Sequence, residues 1–145
     1  MVKICKVKLA GLTLSIVTLA AHACASSGNL PPEIKLILFE RNSGVIASKD
    51  IVDLASWAID MKKKYPLRQW MTIGGTSAPD EKKPSELAAG RAAAAKNLMT
   101  QFELAPSSVE VKSYVDTSYM KEMNGNMAMS VQIELVPGCP NNCCD

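Results

Sequence analysis

Apolar residues recur along this chain at two different spacings, and the order in which those spacings alternate restricts the fold more than any single residue does. Ile34-Lys35-Leu36-Ile37-Leu38-Phe39 is a nearly continuous apolar run of strand length, as expected for a strand covered on both faces. A loop from Glu40 to Ala47 follows, with Asn42-Ser43-Gly44 at its turn. Ile51, Leu54, Ala55, Ala58, Met61 and Tyr65 then fall on one face at helical spacing. Ser48 is the expected N-cap of that helix, and Asp50 and Asp53 sit where the dipole favours acids. Lys62, Lys63 and Lys64 complement its C-terminal end, and Pro66 stops it. Gln69 to Gly75 reads as a second strand, with Trp70, Met71 and Ile73 as its apolar bulk. A polar loop from Thr76 to Pro84 leads into a long helix through about Phe102, whose first turn suits Pro84. Val109–Val115 and Ala128–Val136 both alternate in polarity, the latter with Met129, Val131, Ile133 and Leu135 on one side. Tyr119, Lys121, Asn124 and Gly125 mark a loop between them. The order β-α-β-α-β-β predicts a two-layer α/β sandwich, with two helices packed on one face of a mixed four-stranded sheet.

The first 23 residues have a different character. Lys3, Lys6 and Lys8 precede an uncharged apolar run from Leu9 to Ala21, and Ala21-His22-Ala23 supplies an A-x-A site. Charge, apolar run and small-residue site in that order predict a secretory signal peptide over residues 1–23, and the apolar run is too short to span a bilayer. Cleavage after Ala23 makes Cys24 the first residue, and Ala21-His22-Ala23-Cys24 resembles a lipoprotein processing site at which that cysteine is acylated. Cleavage after Ala25 instead releases a soluble chain. Residues 24–33 read as a short tether, 34–136 as the folded domain and 137–145 as a cysteine-rich tail.

Removing the leader changes which chemistry is open to the chain. Formal charge moves from 16 − 14 = +2 to 13 − 14 = −1, which gives no electrostatic case for nucleic acid. The only histidine, His22, leaves as well, and with it His-based nucleophile pairs and metal sites. Cys139, Cys143 and Cys144 fit an oxidising compartment, where a Cys139–Cys143 or Cys139–Cys144 bridge closes a short loop. Three cysteines without a fourth ligand make a poor metal cluster. Met120, Met123, Met127 and Met129 invite a copper(I) reading, against which methionine as packing filler is the plainer one. Gly74-Gly75-Thr76-Ser77 lacks the G-K-[ST] of a phosphate loop. No cofactor and no enzymatic activity are expected.

One residue is out of place. On the second helix Leu87, Arg91, Ala94, Leu98 and Phe102 fall within one stripe, so a guanidinium sits among apolar side chains. It must snorkel to an edge or meet an anion. Beside the 76–84 loop it is placed to grip a carboxylate in bidentate fashion, or to form a buried pair with Asp80 or Glu81.

The same stretch carries a likeness. Ile73-Gly74-Gly75-Thr76-Ser77 followed by Leu87-Ala88-Ala89-Gly90-Arg91-Ala92 resembles the OmpA-like domain, a family that binds peptidoglycan in the bacterial periplasm. The resemblance spans Ile34 to Val136. It implies that Arg91 holds the carboxylate of diaminopimelate in the peptide stem. The family's aspartate, which holds the ammonium at the same stereocentre, falls on Ser77, its histidine on Gly75 and its helix serine on Ala88. The asparagine before the helix falls near Pro84, and the paired basic residues before the last strand fall near Met129 and Ser130. Losing the carboxylate removes a charge-assisted bond of about 1.5–3 kcal/mol, for which Asp80 or Glu81 could substitute if the loop folds back. The resemblance therefore implies an exported cell-envelope protein that contacts the peptidoglycan stem peptide through Arg91, with Thr76, Ser77 and Asp80 lining the pocket. The alternative is a degenerate module that binds envelope proteins in an envelope or secretion assembly, without wall binding.

Overall fold

The computed structural model of the chain describes residues 30–116 and 128–138. The expected leader, Cys24, the tail cysteines Cys139, Cys143 and Cys144, and Met120, Met123 and Met127 lie outside the described residues. The elements run β1 (Glu33–Leu38), α1 (Ser48–Lys64), β2 (Arg68–Ser77), α2 (Pro84–Gln101), β3 (Val109–Val115) and β4 (Ser130–Pro137). They form the expected α+β sandwich, with the two helices packed with one mixed sheet of strand order β1-β4-β2-β3.

That order follows from the connections. β2 and β3 are joined through α2 and pair parallel, as a helical crossover requires. β4 then inserts between β1 and β2, antiparallel to both. Register sets which residues share a face. Leu36, Gln132, Gly74 and Lys112 lie opposite one another across the four strands, and so do Ile37, Val131 and Gly75 on the adjoining row. The second row belongs to the helix-covered face, where Ile37, Met71, Ile73, Val131, Ile133 and Leu135 are buried. Leu54, Ala58 and Met61 of α1 and Ala92, Ala95 and Met99 of α2 complete this core. Burial of such side chains is the main favourable term in folding, at about 25 cal/mol per Å² of apolar surface.

The structure shifts some local expectations. Ser48 is the first residue of α1 rather than its cap; Ala47 holds the N-cap position without a side-chain bond, and Ile51 N–H donates to its carbonyl. β2 continues two residues past Gly75, because β3 pairs with it as far as Ser77. Most importantly, α2 is rotated from the stripe that hydrophobicity suggests. Its buried residues are Ala88, Arg91, Ala92, Ala95 and Met99, while Leu87, Ala94 and Leu98 are half-buried. The cause is close approach. A Cβ on Gly75 would lie 2.3 Å from the Ala88 carbonyl oxygen and 2.9 Å from the Ala92 Cβ, so only small residues fit on that side of the helix. The rotation leaves Arg91 inside.

Candidate functional site

The end of the sheet where β1, β2 and β3 finish and β4 begins gathers Thr76, Ser77, Asp80, Glu81 and Arg91. Two loops close over it. Residues 39–47 join β1 to α1, and residues 78–83 join β2 to α2. Arg91, about two turns into α2, lies beneath both.

Arg91 is fully buried, and so is the carboxylate it meets, Glu81. The contact is bidentate: Nη2 donates to Glu81 Oε1 at 2.7 Å and Nη1 to Oε2 at 2.9 Å. The remaining donors go to backbone carbonyls. Nε reaches Ser43 at 2.9 Å, Nη1 reaches Thr76 at 2.9 Å and Nη2 reaches Glu40 at 3.2 Å. A guanidinium has five N–H donors, and all five are used. The Phe39 ring faces the guanidinium carbon at 5.1 Å, adding a cation–π contact.

Glu81 is satisfied to the same degree. Its Oε1 also accepts Asn42 N–H at 2.7 Å, and its Oε2 accepts Ala78 N–H at 2.9 Å. Asn42 returns the contact by accepting Lys82 N–H at Oδ1, 2.7 Å. Asn42 sits at φ 59° and Lys83 at φ 50°, so both loops turn through left-handed residues next to these bonds. One ion pair thus ties four backbone segments together. In this arrangement a ligand carboxylate reaches Arg91 only by displacing Glu81.

Burial by itself would raise the Glu81 carboxyl, but the Arg91 hydrogen bonds, the Asn42 and Ala78 N–H groups and the Arg91 charge outweigh it. The carboxyl is held below its ordinary value of 4.5. The sign of the pH effect follows. An unfolded Glu81 takes up a proton near pH 4.5, before the folded one does, so its stabilisation is complete above that pH and is lost as pH falls through the lowered folded value. Thermal melts are therefore expected to hold a plateau near neutrality and to drop steeply below about pH 4.5. Glu33, held below its ordinary value by its hydrogen bonds from Lys64 and Tyr65, adds to the same slope. A melting temperature that stays flat down to pH 3 would contradict the assignment.

The other expected site residues take separate roles. Ser77 is buried and donates its hydroxyl to the Pro84 carbonyl at 2.7 Å, which fastens the start of α2. Thr76 Oγ1 lies 3.1 Å from both the carbonyl and the hydroxyl of Ser130, bridging β2 to β4. Asp80 does not reach Arg91. It turns outward and pairs with Arg41, each side chain about half exposed.

Arg41 and Asp80, with Asp116 just past the end of β3, line a small cleft of about 70 Å³ whose apolar surface comes from Ala78, Pro79, Ala128 and Met129. Sequence reasoning passed over Arg41 and Asp116, since neither lies in a periodic stripe or a motif. An exposed pair such as Arg41–Asp80 contributes only about 0–1 kcal/mol, whereas the buried Arg91–Glu81 pair cannot be opened without stranding a charge. Among the described residues there is no group of His, Cys, Asp or Glu arranged to hold a metal ion, and no helix long and apolar enough to cross a membrane.

No family model matches the sequence, and no curated protein matches it by sequence. Solved structures do match by shape. The OmpA-like domain of FopA1 from Francisella tularensis superposes with a TM-score of 0.57 at 15% identity, covering 72% of this chain and 71% of that one. The C-terminal domain of Helicobacter pylori MotB gives 0.57 at 22% identity, covering 76% and 89%. The cell wall anchor of the T6SS from Pseudomonas aeruginosa gives 0.57 at 17% identity, covering 74% and 83%.

Proposed function

We propose, from the OmpA-like fold of this chain, that it is a cell-envelope binding domain that holds peptidoglycan non-covalently by its stem peptide. The observation that carries this reading is the shared fold with a protein described as a cell wall anchor, over 74% of the chain. The polar end of the sheet supports it, because two loops there are pre-ordered around an exposed, charged cleft. The apolar leader and A-x-A site at 1–23 support delivery to the periplasm, and Cys24 supports a lipid tether there.

In this reading Arg91 is a positioning residue. It holds the loops that face the wall, while Thr76 and Ser77 fix the ends of β2 and α2 beneath them. Asp80 is the member of the expected set that stands outward toward a ligand. Purified sacculi incubated with the protein are expected to retain it after sedimentation, and a protein left wholly in the supernatant would sink the proposal.

A second reading has one observation in its favour. Arg91 is saturated by Glu81 and the ammonium-binding aspartate is replaced by Ser77, so the domain could serve an envelope or secretion assembly as a protein-interaction module. Absence from sacculi together with co-purification of an envelope protein would establish that alternative.

A further inference from the structure

Strand β3 ends the sheet on one side, and among the described residues no strand pairs with its outer edge. Its residues are half-buried at the two ends and exposed in between. Val111 is 42% exposed although it lies opposite Ile73, on the helix-covered row. Two bonds to β2 fix the direction of its backbone groups. The Ser108 carbonyl accepts Met71 N–H at 3.0 Å, and Asp116 N–H donates to the Ser77 carbonyl at 2.9 Å. Alternate residues of a strand direct their backbone groups to the same side. Glu110, Lys112 and Tyr114 therefore face β2 as well, while Val109, Val111, Ser113 and Val115 turn theirs to the open edge. Such an edge is a template for another strand. Its charges are ordered too: Glu110 and Lys112 pair along the strand at 2.9 Å, each about half exposed.

We propose that β3 pairs antiparallel with β3 of a second copy of this chain, about a two-fold axis at Val111. The charge pattern selects both the occupant and the register. An axis normal to the sheet brings together residues of one face, so the pairing must be centred on a residue. With Val111 on the axis, Glu110 lies opposite the partner's Lys112, and Lys112 opposite the partner's Glu110. The four charges alternate in sign, and each keeps the neighbour it already has. Centring on Glu110 or on Lys112 sets like charges opposite each other. Centring on Ser113 sets Glu110 opposite the partner's Asp116. The Val111 register also uses the outward backbone groups. Val111 exchanges two bonds with the partner's Val111, and Val109 with the partner's Ser113. Glu110 and Lys112 then occupy the non-hydrogen-bonded pairs, where side chains stand closest. Above the sheet, α2 lies over β2 and β3, so the two copies of α2 run about 10 Å apart, an ordinary packing distance. Ala89 and Ala93, small and exposed on α2, leave room for that approach. Two four-stranded sheets become one, with the helices of both copies on one face and their loop ends pointing apart. Nothing in the pairing depends on what those loop ends bind.

Sedimentation equilibrium of the full chain tests this in reducing buffer, which keeps cysteines from linking copies. The chain is expected to pass from monomer to dimer as concentration rises, and to dissociate more readily at high salt. Glu110→Lys alone and Lys112→Glu alone should each weaken the dimer about tenfold, as two attractive pairs turn repulsive. Mixing the two variants should restore dimers, because the like charges of one strand then meet opposite charges on the other. The chain carrying both substitutions should dimerise like the parent. Both side chains are half exposed, so melting temperatures of the dilute variants should stay near the parent's. NMR amide exchange gives a second readout. The amides of Val109, Val111 and Ser113 should gain protection with concentration, while those of Lys112 and Tyr114, already bonded to β2, should not change. A chain that stays monomeric at every concentration overturns the proposal. So does a dimer that both single reversals leave intact, which points to the other edge, β1, or a mixture that fails to recover dimers. Protection of Val111 in the dilute monomer also overturns it, since another part of the chain then covers the edge.

Discussion

Glu81→Gln is expected to destabilise the domain by about 3–5 kcal/mol, because it leaves a buried guanidinium without its counter-charge. The amide is nearly isosteric, so the loss is electrostatic rather than a cavity. It also turns an amide nitrogen toward Arg91 donors that now meet two carboxylate oxygens at 2.7 and 2.9 Å. Total stabilities of small domains are about 5–15 kcal/mol, so the variant stands close to unfolding. Arg91→Ala should be as severe. It strands the Glu81 carboxylate and removes the donors that satisfy Glu40, Ser43 and Thr76. Urea denaturation at pH 7 checks both variants. A loss below about 1 kcal/mol in either would mean the pair is not closed in solution. The combined change Glu81→Leu with Arg91→Met should recover part of the loss, since replacing both buried charges is far cheaper than removing one. Wall-binding assays on Arg91→Ala alone therefore need a stability measurement beside them.

The second large effect concerns two adjacent glycines with opposite prospects. At Gly75 an added Cβ would meet the Ala88 carbonyl oxygen at 2.3 Å and the Ala92 nitrogen at 3.0 Å, both backbone atoms of α2. Neither can move without displacing the helix that carries Arg91. Gly75→Ala is expected to cost about 1–3 kcal/mol or more, as overpacking in a closed core does. At Gly74 the Cβ would meet only the Tyr114 hydroxyl at 2.6 Å, the far end of a half-exposed side chain on edge strand β3. Tyr114 can swing away, so Gly74→Ala should stay within about 1 kcal/mol of the parent. Paired thermal melts distinguish the cases, and equal shifts would contradict the close packing of α2 on β2.

These two sites also show where sequence and structure part. The alternation of Met129, Val131, Ile133 and Leu135 against Ser130, Gln132 and Glu134 was enough to place β4, since a strand with one covered face has few other readings. The face of α2 was not legible, because Ala88, Ala89 and Ala92–Ala95 surround the helix with small side chains that hydrophobicity cannot rank. Close approach at Gly75 selects among them, and that depends on a strand outside the helix. Arg91 was legible as an anomaly that had to snorkel or meet an anion, and its complete burial in the structure decides for the anion. The choice between Asp80 and Glu81 turned on the tight 78–81 turn, in which Glu81 N–H donates to the Ala78 carbonyl and brings Glu81 back over β2. Arg41 gave no local signal, since its significance comes from a partner on another loop.

The position of β4 has a consequence for how the protein is made. During synthesis β1 is the first of the described strands to emerge, yet among them it pairs only with the last, β4. Until residues 130–137 leave the ribosome, Ile34, Leu36 and Leu38 belong to an unpaired apolar strand, and β2 lacks its central neighbour. Such a nascent chain is prone to aggregate and cannot close its core early. Folding of this sheet is therefore completed by its last described strand, not built up from its first.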